Sequence, residues 1–311
     1  MLILLFCYET KVNEMCSKIY YLETSVLYAL SGCFDKIVEA NLEVITSLFA
    51  LQEIVDGITV DEFHKRKVLL GKIMSYGLKI YPMLPEECVA SAFCLDVSNF
   101  SEILYKKRLL MTKINMIIRA DNYYDYQNML LNIAIIDVNK EKKNKDEIKI
   151  SNKNKISEII DAEIKYINEL RWKRKVNPEY IEIDINNTFG LEDVSAIDKQ
   201  SITNKKIIKK LLDSLNIQYK AIDICNQIEC IDKNALVAMK LGIDMYSVSK
   251  SIGIDKKKPD RNDIDDLIHL LYLRDENHVI VSDDRIYDFC TMKSMRMGKS
   301  EFETLVKLSR Q

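Results

Sequence analysis

Glycine and proline are scarce in this chain, at 8 and 4 of 311 residues. So few turn-forming residues exclude a turn-dense all-β architecture and favour long helices. Histidine is rarer still, at positions 64, 269 and 278, and none of the eight cysteines forms a CxxC pair. Cys225 and Cys230 stand at a spacing that suits neither a zinc knuckle nor a redox pair, which argues against a structural zinc site. The thiols are therefore expected to be buried and reduced, as in a cytoplasmic protein. Long apolar runs are missing as well. The opening MLILLFCY is too short to span a bilayer, and it lacks the basic flank and small-residue cleavage site of a signal peptide. We expect it to form a first strand or a loosely packed extension, with no membrane association. Charge of one sign is also absent, the formal net value being −2. No global positive field announces nucleic-acid binding, so any such binding must come from local patches.

What is present is a globular composition, 48% hydrophobic and 30% charged, long enough for one large domain or two ordinary ones. At the N-terminal end, KIYYL from Lys18 is a short apolar run of β-formers, which reads as a buried parallel strand. Helices are expected over 24–30 and 35–40, a second strand over 42–46, and a helix over 48–56 with Ser47 as N-cap and Gly57 as its stop. A long amphipathic helix follows over 60–76, then a third strand over 78–83 and a helix over 86–95. From about 101 to 254 the pattern is helical, with helices expected at 205–215 and 234–241 and a polar linker over 139–147. After Pro259 the alternation returns: helix 262–274, strand 277–282, helices 284–290 and 300–308. The expectation is an α/β fold whose central parallel sheet is assembled from residues 1–100 and 255–311, with 101–254 as a large, mostly helical insertion.

Four carboxylates stand out by position. Glu23 and Asp284 lie just past apolar strands, where open α/β sheets place their ligands. Glu53 interrupts an otherwise apolar helix, and Asp266 sits early in the 262–274 helix with Asp263 one turn before it. Carboxylates brought close together raise one another's pKa values and cannot all ionise without a cation. An all-oxygen set of this kind suits Mg²⁺ or Mn²⁺, and such ions support phosphodiester hydrolysis.

These stretches resemble the motifs of PIN domains. YLETSVLYAL from Tyr21 is similar to the family's opening strand, acid, Thr, Ser and apolar helix. VITSLFALQEI from Val44 is similar to its second motif, a strand, a Ser and a helix carrying the second acid. NDIDDLIH from Asn262 looks like the third motif and VIVSDD from Val279 like the fourth. Counting back from Ser282 by the family's usual interval selects Asp266 as the third acid. The first acid is Glu23, where the family usually has Asp. The resemblance covers roughly residues 16–100 and 260–295 and does not extend to the middle.

The resemblance implies a PIN-like three-layer fold and a metal-dependent endoribonuclease acting in the cytoplasm. Glu23, Glu53, Asp266 and Asp284 would be its catalytic acids, holding Mg²⁺ or Mn²⁺ with Asp263 as a further candidate ligand. Thr24, Ser25 and Ser282 would support them. It also implies an RNA substrate, and leaves room for an inhibitory partner protein or a homo-oligomer. Lys256, Lys257 and Lys258 lie upstream of the third motif, where they could meet an RNA backbone or form a solvated loop. Arg171, Trp172 and Lys173 could stack on and neutralise single-stranded RNA, or form a solvated helix face with the Trp in a core. His269 reads as a packed or hydrogen-bonded helix residue, and Asp283 as solvated. A PIN-like binding module with weakened catalysis, and a structure-specific DNA nuclease, are the competing readings.

Overall fold

A computed structural model describes residues 18–40, 42–92, 97–134, a discontinuous set of helical residues between 147 and 168, 237–251, and 258–310 apart from 276 and 292. The N-terminal apolar run, Cys225, Cys230, the 205–215 helix, Arg171, Trp172, Lys173, Lys256 and Lys257 lie outside the described residues.

The first half alternates as expected. Strand β1 (Ile19–Leu22) is followed by α1 (Thr24–Leu30), α2 (Phe34–Glu39), β2 (Glu43–Ser47), α3 (Leu48–Val55), α4 (Val60–Tyr76), β3 (Lys79–Tyr81) and α5 (Pro85–Ala92). Ser47 caps α3 by accepting from the Ala50 amide, which satisfies one of the amides left over at a helix start. Gly57 and Gly77 take φ values of 64° and 68°, the left-handed conformation that ends α3 and α4 at little steric cost. Helices α6 (Ser101–Arg119), α7 (Tyr123–Ala134) and α8 (Val237–Ser251) follow. After them come α9 (Asp263–Ile268), a 3-10 turn (His269–Tyr272), β4 (His278–Val281), α10 (Tyr287–Cys290), β5 (Arg296–Met297) and α11 (Lys299–Leu308). Two features differ from expectation. The 262–274 helix tightens into 3-10 geometry from His269 onward. The two-residue β5 was too short to carry a periodicity signal.

The five strands form one parallel sheet in the order β3-β2-β1-β4-β5. Strand β1 is central, paired in register with β2 (Tyr20 beside Val44) and with β4 (Tyr20 beside Val279). Side chains alternate across the sheet, and the core divides accordingly. Tyr20, Leu22, Val44, Val279 and Val281 join one apolar cluster with residues of α1–α4, α6, α7 and α11. Tyr21, Ile45 and Ile280 join a second with Tyr246 of α8, Leu267, Leu270, Leu271 and Tyr287. Burial on both faces explains why β1 and β4 are apolar runs rather than alternations.

The core does not stop at residue 100. Ile103, Leu110, Ile114, Met116 and Ile117 of α6 and Tyr126 and Leu130 of α7 are buried in the same cluster as β1. Residues 101–134 are thus part of the sheet's packing, and the helical stretch is anchored in it at its first end. Among the described residues no helix is long and apolar enough to cross a membrane.

Ile114 is fully buried against this cluster, so Ile114→Ala is expected to cost about 2–5 kcal/mol. Urea denaturation followed by fluorescence should show one transition displaced to lower denaturant. An unchanged main transition would mean that α6 is dispensable to the sheet.

Candidate active site

Parallel pairing of β1 and β4 brings their C-terminal ends side by side, and the strand order reverses at β1, with β2 and β3 on one flank and β4 and β5 on the other. Such a switch point opens a crevice beyond the strand ends. A cleft of about 460 Å³ lies there, lined by Glu23, Glu53, Asp266 and Asp284 together with Thr24, Ser25, Asp265 and His269. Tyr28, Asp56, Glu62, Lys65, Arg66, Lys149 and Asn262 complete the wall among others. Four acids drawn from four separate stretches of sequence therefore share one cavity.

Each acid is held differently. Glu23 is the N-cap of α1, 5% exposed. Its carboxylate accepts from the Ser25 amide at 2.6 Å, the Val26 amide at 3.3 Å, the Ser282 hydroxyl at 3.0 Å and, more closely, the Ser25 hydroxyl. Two backbone and two side-chain donors satisfy it, and it ties the end of β1 to the end of β4. Ser282 also accepts from the Asp284 amide at 3.0 Å, and Asp284 accepts from the Ile286 amide at 3.0 Å, so the loop carrying Asp284 is fixed although its side chain is exposed.

Glu53 accepts from the Thr24 hydroxyl and from His269 Nε2 at 2.9 Å. His269 is 2% exposed, and its Nδ1 lies 2.6 Å from the Tyr21 hydroxyl, which is 2.9 Å from Ser47 Oγ. Burial by itself would depress the imidazole. The hydrogen bond to Glu53, with the charges of Glu53, Glu23 and Asp266, outweighs it and raises the pKa above its ordinary value. The chain Ser47–Tyr21–His269–Glu53–Thr24 thus fixes the Glu53 carboxylate from both sides. The helical interval between Asp266 and His269 puts both on one face. His269, expected to be a packed or hydrogen-bonded helix residue, is both buried and hydrogen-bonded through each ring nitrogen.

Asp266 differs from both. Its carboxylate has no hydrogen-bond partner among the described residues, and burial, followed by the charge of Asp284, pushes its pKa up to about 8. A carboxylate held protonated near neutrality by burial and a neighbouring acid is one that a cation would stabilise.

The remaining candidates are placed elsewhere. Asp263 is not brought into the cleft. It stands on Asp266's side of the helix one turn earlier, where its carboxylate accepts from the Tyr246 hydroxyl of α8 and from the Asp260 amide. Asp265 lines the cleft in an ion pair with Lys149 at 2.5 Å. Lys258 is exposed and does not line the cleft. Asp283 is exposed and accepts from the Lys299 amide at 2.9 Å. Of the cations at the wall, Arg66 is engaged with the carbonyls of Glu53, Ile54 and Asp56 and with Glu62. Lys65 lies 4.7 Å above the Tyr28 ring.

The donor set is all oxygen apart from His269, and the uncompensated Asp266 gives a hard divalent cation a reason to bind. Among the described residues no three ligating side chains already stand arranged around one point. No family model, curated protein or solved structure matches the chain.

The raised Asp266 pKa has a pH signature. In the folded state the carboxyl keeps its proton up to about pH 8, whereas the unfolded chain releases it near pH 4. Without divalent cations, stability should fall between those limits by up to about 1.4 kcal/mol per pH unit. Asp266→Asn should flatten this decline, leaving the variant more stable than wild type at pH 8 and similar at pH 4. Thermal melts in EDTA across that range check it, and parallel melting curves at every pH would refute the assignment.

Proposed function

We propose that this protein is a PIN-type endoribonuclease dependent on Mg²⁺ or Mn²⁺, with a PIN-like three-layer fold bearing a helical insertion. The observation that carries the reading is the convergence of Glu23, Glu53, Asp266 and Asp284 on one cleft at the C-terminal ends of β1 and β4. The order and spacing of the four motifs around those acids support it independently.

In this reading Glu23, Glu53, Asp266 and Asp284 are the residues that would hold the cation. A bound divalent cation supplies charge neutralisation at the scissile phosphate and a more acidic water. The chain's own groups do the rest. His269 and Thr24 hold Glu53 in one orientation, as partners beyond the ligands of a metal site commonly do. Ser282 and the amides of Ser25 and Val26 hold Glu23, and Ser282 also fixes the turn that presents Asp284. The pre-positioned carboxylates face a phosphodiester without having to reorder at the moment of reaction. The raised pKa of Asp266 means that the cation competes with a proton there, so metal affinity rises with pH up to about 8.

A specific observation favours the second reading, a PIN-like binding module. Glu23 stands where Asp is usual, and four hydrogen bonds already satisfy its carboxylate. As an N-cap joined to Ser282, it has a structural task that needs no metal.

Labelled single-stranded RNA should be cut in Mn²⁺ or Mg²⁺ by the wild type and left intact by Asp266→Asn, Asp284→Asn. Single-stranded and flap DNA serve as comparison substrates. Calorimetric titration should show Mn²⁺ binding to the wild type that weakens by about 10-fold or more in the double variant. A correctly folded wild type that neither binds Mn²⁺ nor cuts RNA would leave the binding module as the reading, and preferential flap cleavage would favour the DNA nuclease.

A further inference from the structure

The acids of the third motif are divided between two tasks. Asp266 faces the cleft, while Asp263 and Asp265 hold the helical stretch that precedes them. Asp263 accepts from Tyr246 of α8. Asp265 pairs with Lys149 at 2.5 Å, and the same ammonium contacts the Asn262 carbonyl oxygen at 3.2 Å. Lys149 is a helical residue of the stretch between α7 and α8, and its side chain is one of those lining the carboxylate cleft. Residues far from the motifs in sequence therefore form part of the cleft wall.

A cleft floored by acids repels a polyanion unless cations stand at its rim. Among the described residues three lysines or arginines line this one: Lys65, Arg66 and Lys149. Arg66 is bound to three carbonyls and Glu62, which caps the end of α3 and leaves little of its fork for a ligand. Lys149 has three N–H donors, of which one reaches the Asn262 side-chain oxygen, and its ion pair with Asp265 sets it beside the residue that precedes Asp266. Its side chain and that of Asp265 keep 20% and 17% exposure.

We propose that Lys149 is a phosphate-binding residue for the RNA backbone, contributed by the helical stretch, and that Asp265 holds its ammonium at the cleft until a phosphate takes over part of the contact. This rests on the ribonuclease reading. It makes the stretch a wall of the substrate groove rather than an appendage. The salt bridge then sets the resting position of a cation that the substrate recruits.

The test is RNA binding by the full-length protein in EDTA, measured by fluorescence anisotropy with labelled single-stranded RNA over a range of salt. Lys149→Ala should weaken binding by about 5- to 10-fold at low salt and lower the slope of log K against log salt by about 0.7. Lys149→Arg should restore most of both. Asp265→Asn should tighten binding by about 3-fold, and that gain should vanish in the Lys149→Ala background, the coupling expected of a carboxylate and a phosphate competing for one ammonium. Mn²⁺ affinity should change little in Lys149→Ala, and the loss in cleavage should appear in KM rather than kcat. Unchanged RNA affinity and salt slope in Lys149→Ala would overturn the assignment while leaving the ribonuclease reading in place. A wild type that binds no RNA would overturn both. Should Lys149→Ala fold poorly, Asp265→Asn alone decides, since equal or weaker RNA binding by that variant contradicts the competition.

Discussion

The pairing of β1 with β4 is the interaction on which both the sheet and the cleft depend. It joins residues 259 positions apart, as the Ser282–Glu23 hydrogen bond shows. Closing so long a loop costs entropy that only extensive burial offsets. The burial is there: Tyr21, Leu22, Ile280 and Val281 have no exposed surface. Because the strands run parallel, their apolar ends and the polar residues just beyond them arrive at the same edge. The acids converge because the hydrophobic residues before them do.

Around that edge, hydroxyls and amides are spent on keeping carboxylates in place. Ser25 and Ser282 serve Glu23, while Thr24 and His269 serve Glu53. Asp266 has no such partner among the described residues, and burial together with the charge of Asp284 raises its pKa. Three neighbouring acids are thus brought to three electrostatic conditions: saturated, clamped and uncompensated. Such separation of environments is how one site comes to contain groups with different chemical tasks.

The helical stretch is bound to the same edge. Its first helices, α6 and α7, are buried with β1, while Tyr246 and Lys149 reach α9 from its later part. Asp265 and Asp266 are successive residues and point about 100° apart around the axis, so one meets Lys149 at the wall while the other faces the floor. Asp263, one turn earlier on Asp266's side, is taken up by the Tyr246 hydroxyl and the Asp260 amide.

The alternating elements at both ends were legible in the sequence because buried parallel strands are short apolar runs and the caps Ser47 and Gly57 are local signals. Three of the four acids were legible by position, Glu23 and Asp284 at strand ends and Glu53 interrupting an apolar helix, while Asp266 was picked out among three neighbouring acids only by the motif interval to Ser282. The fate of each acid was not legible. That Glu23 is saturated by Ser282, that Asp263 is taken up by Tyr246, and that His269 clamps Glu53 depend on residues 17 to 259 positions away. Nor did one lysine within a lysine-rich polar stretch stand apart until tertiary structure set Lys149 against Asp265. Periodicity and capping are properties of neighbours along the chain and were determined by the sequence by itself. The partner of a buried charge is chosen by the packing of distant segments, and only the tertiary structure decided it.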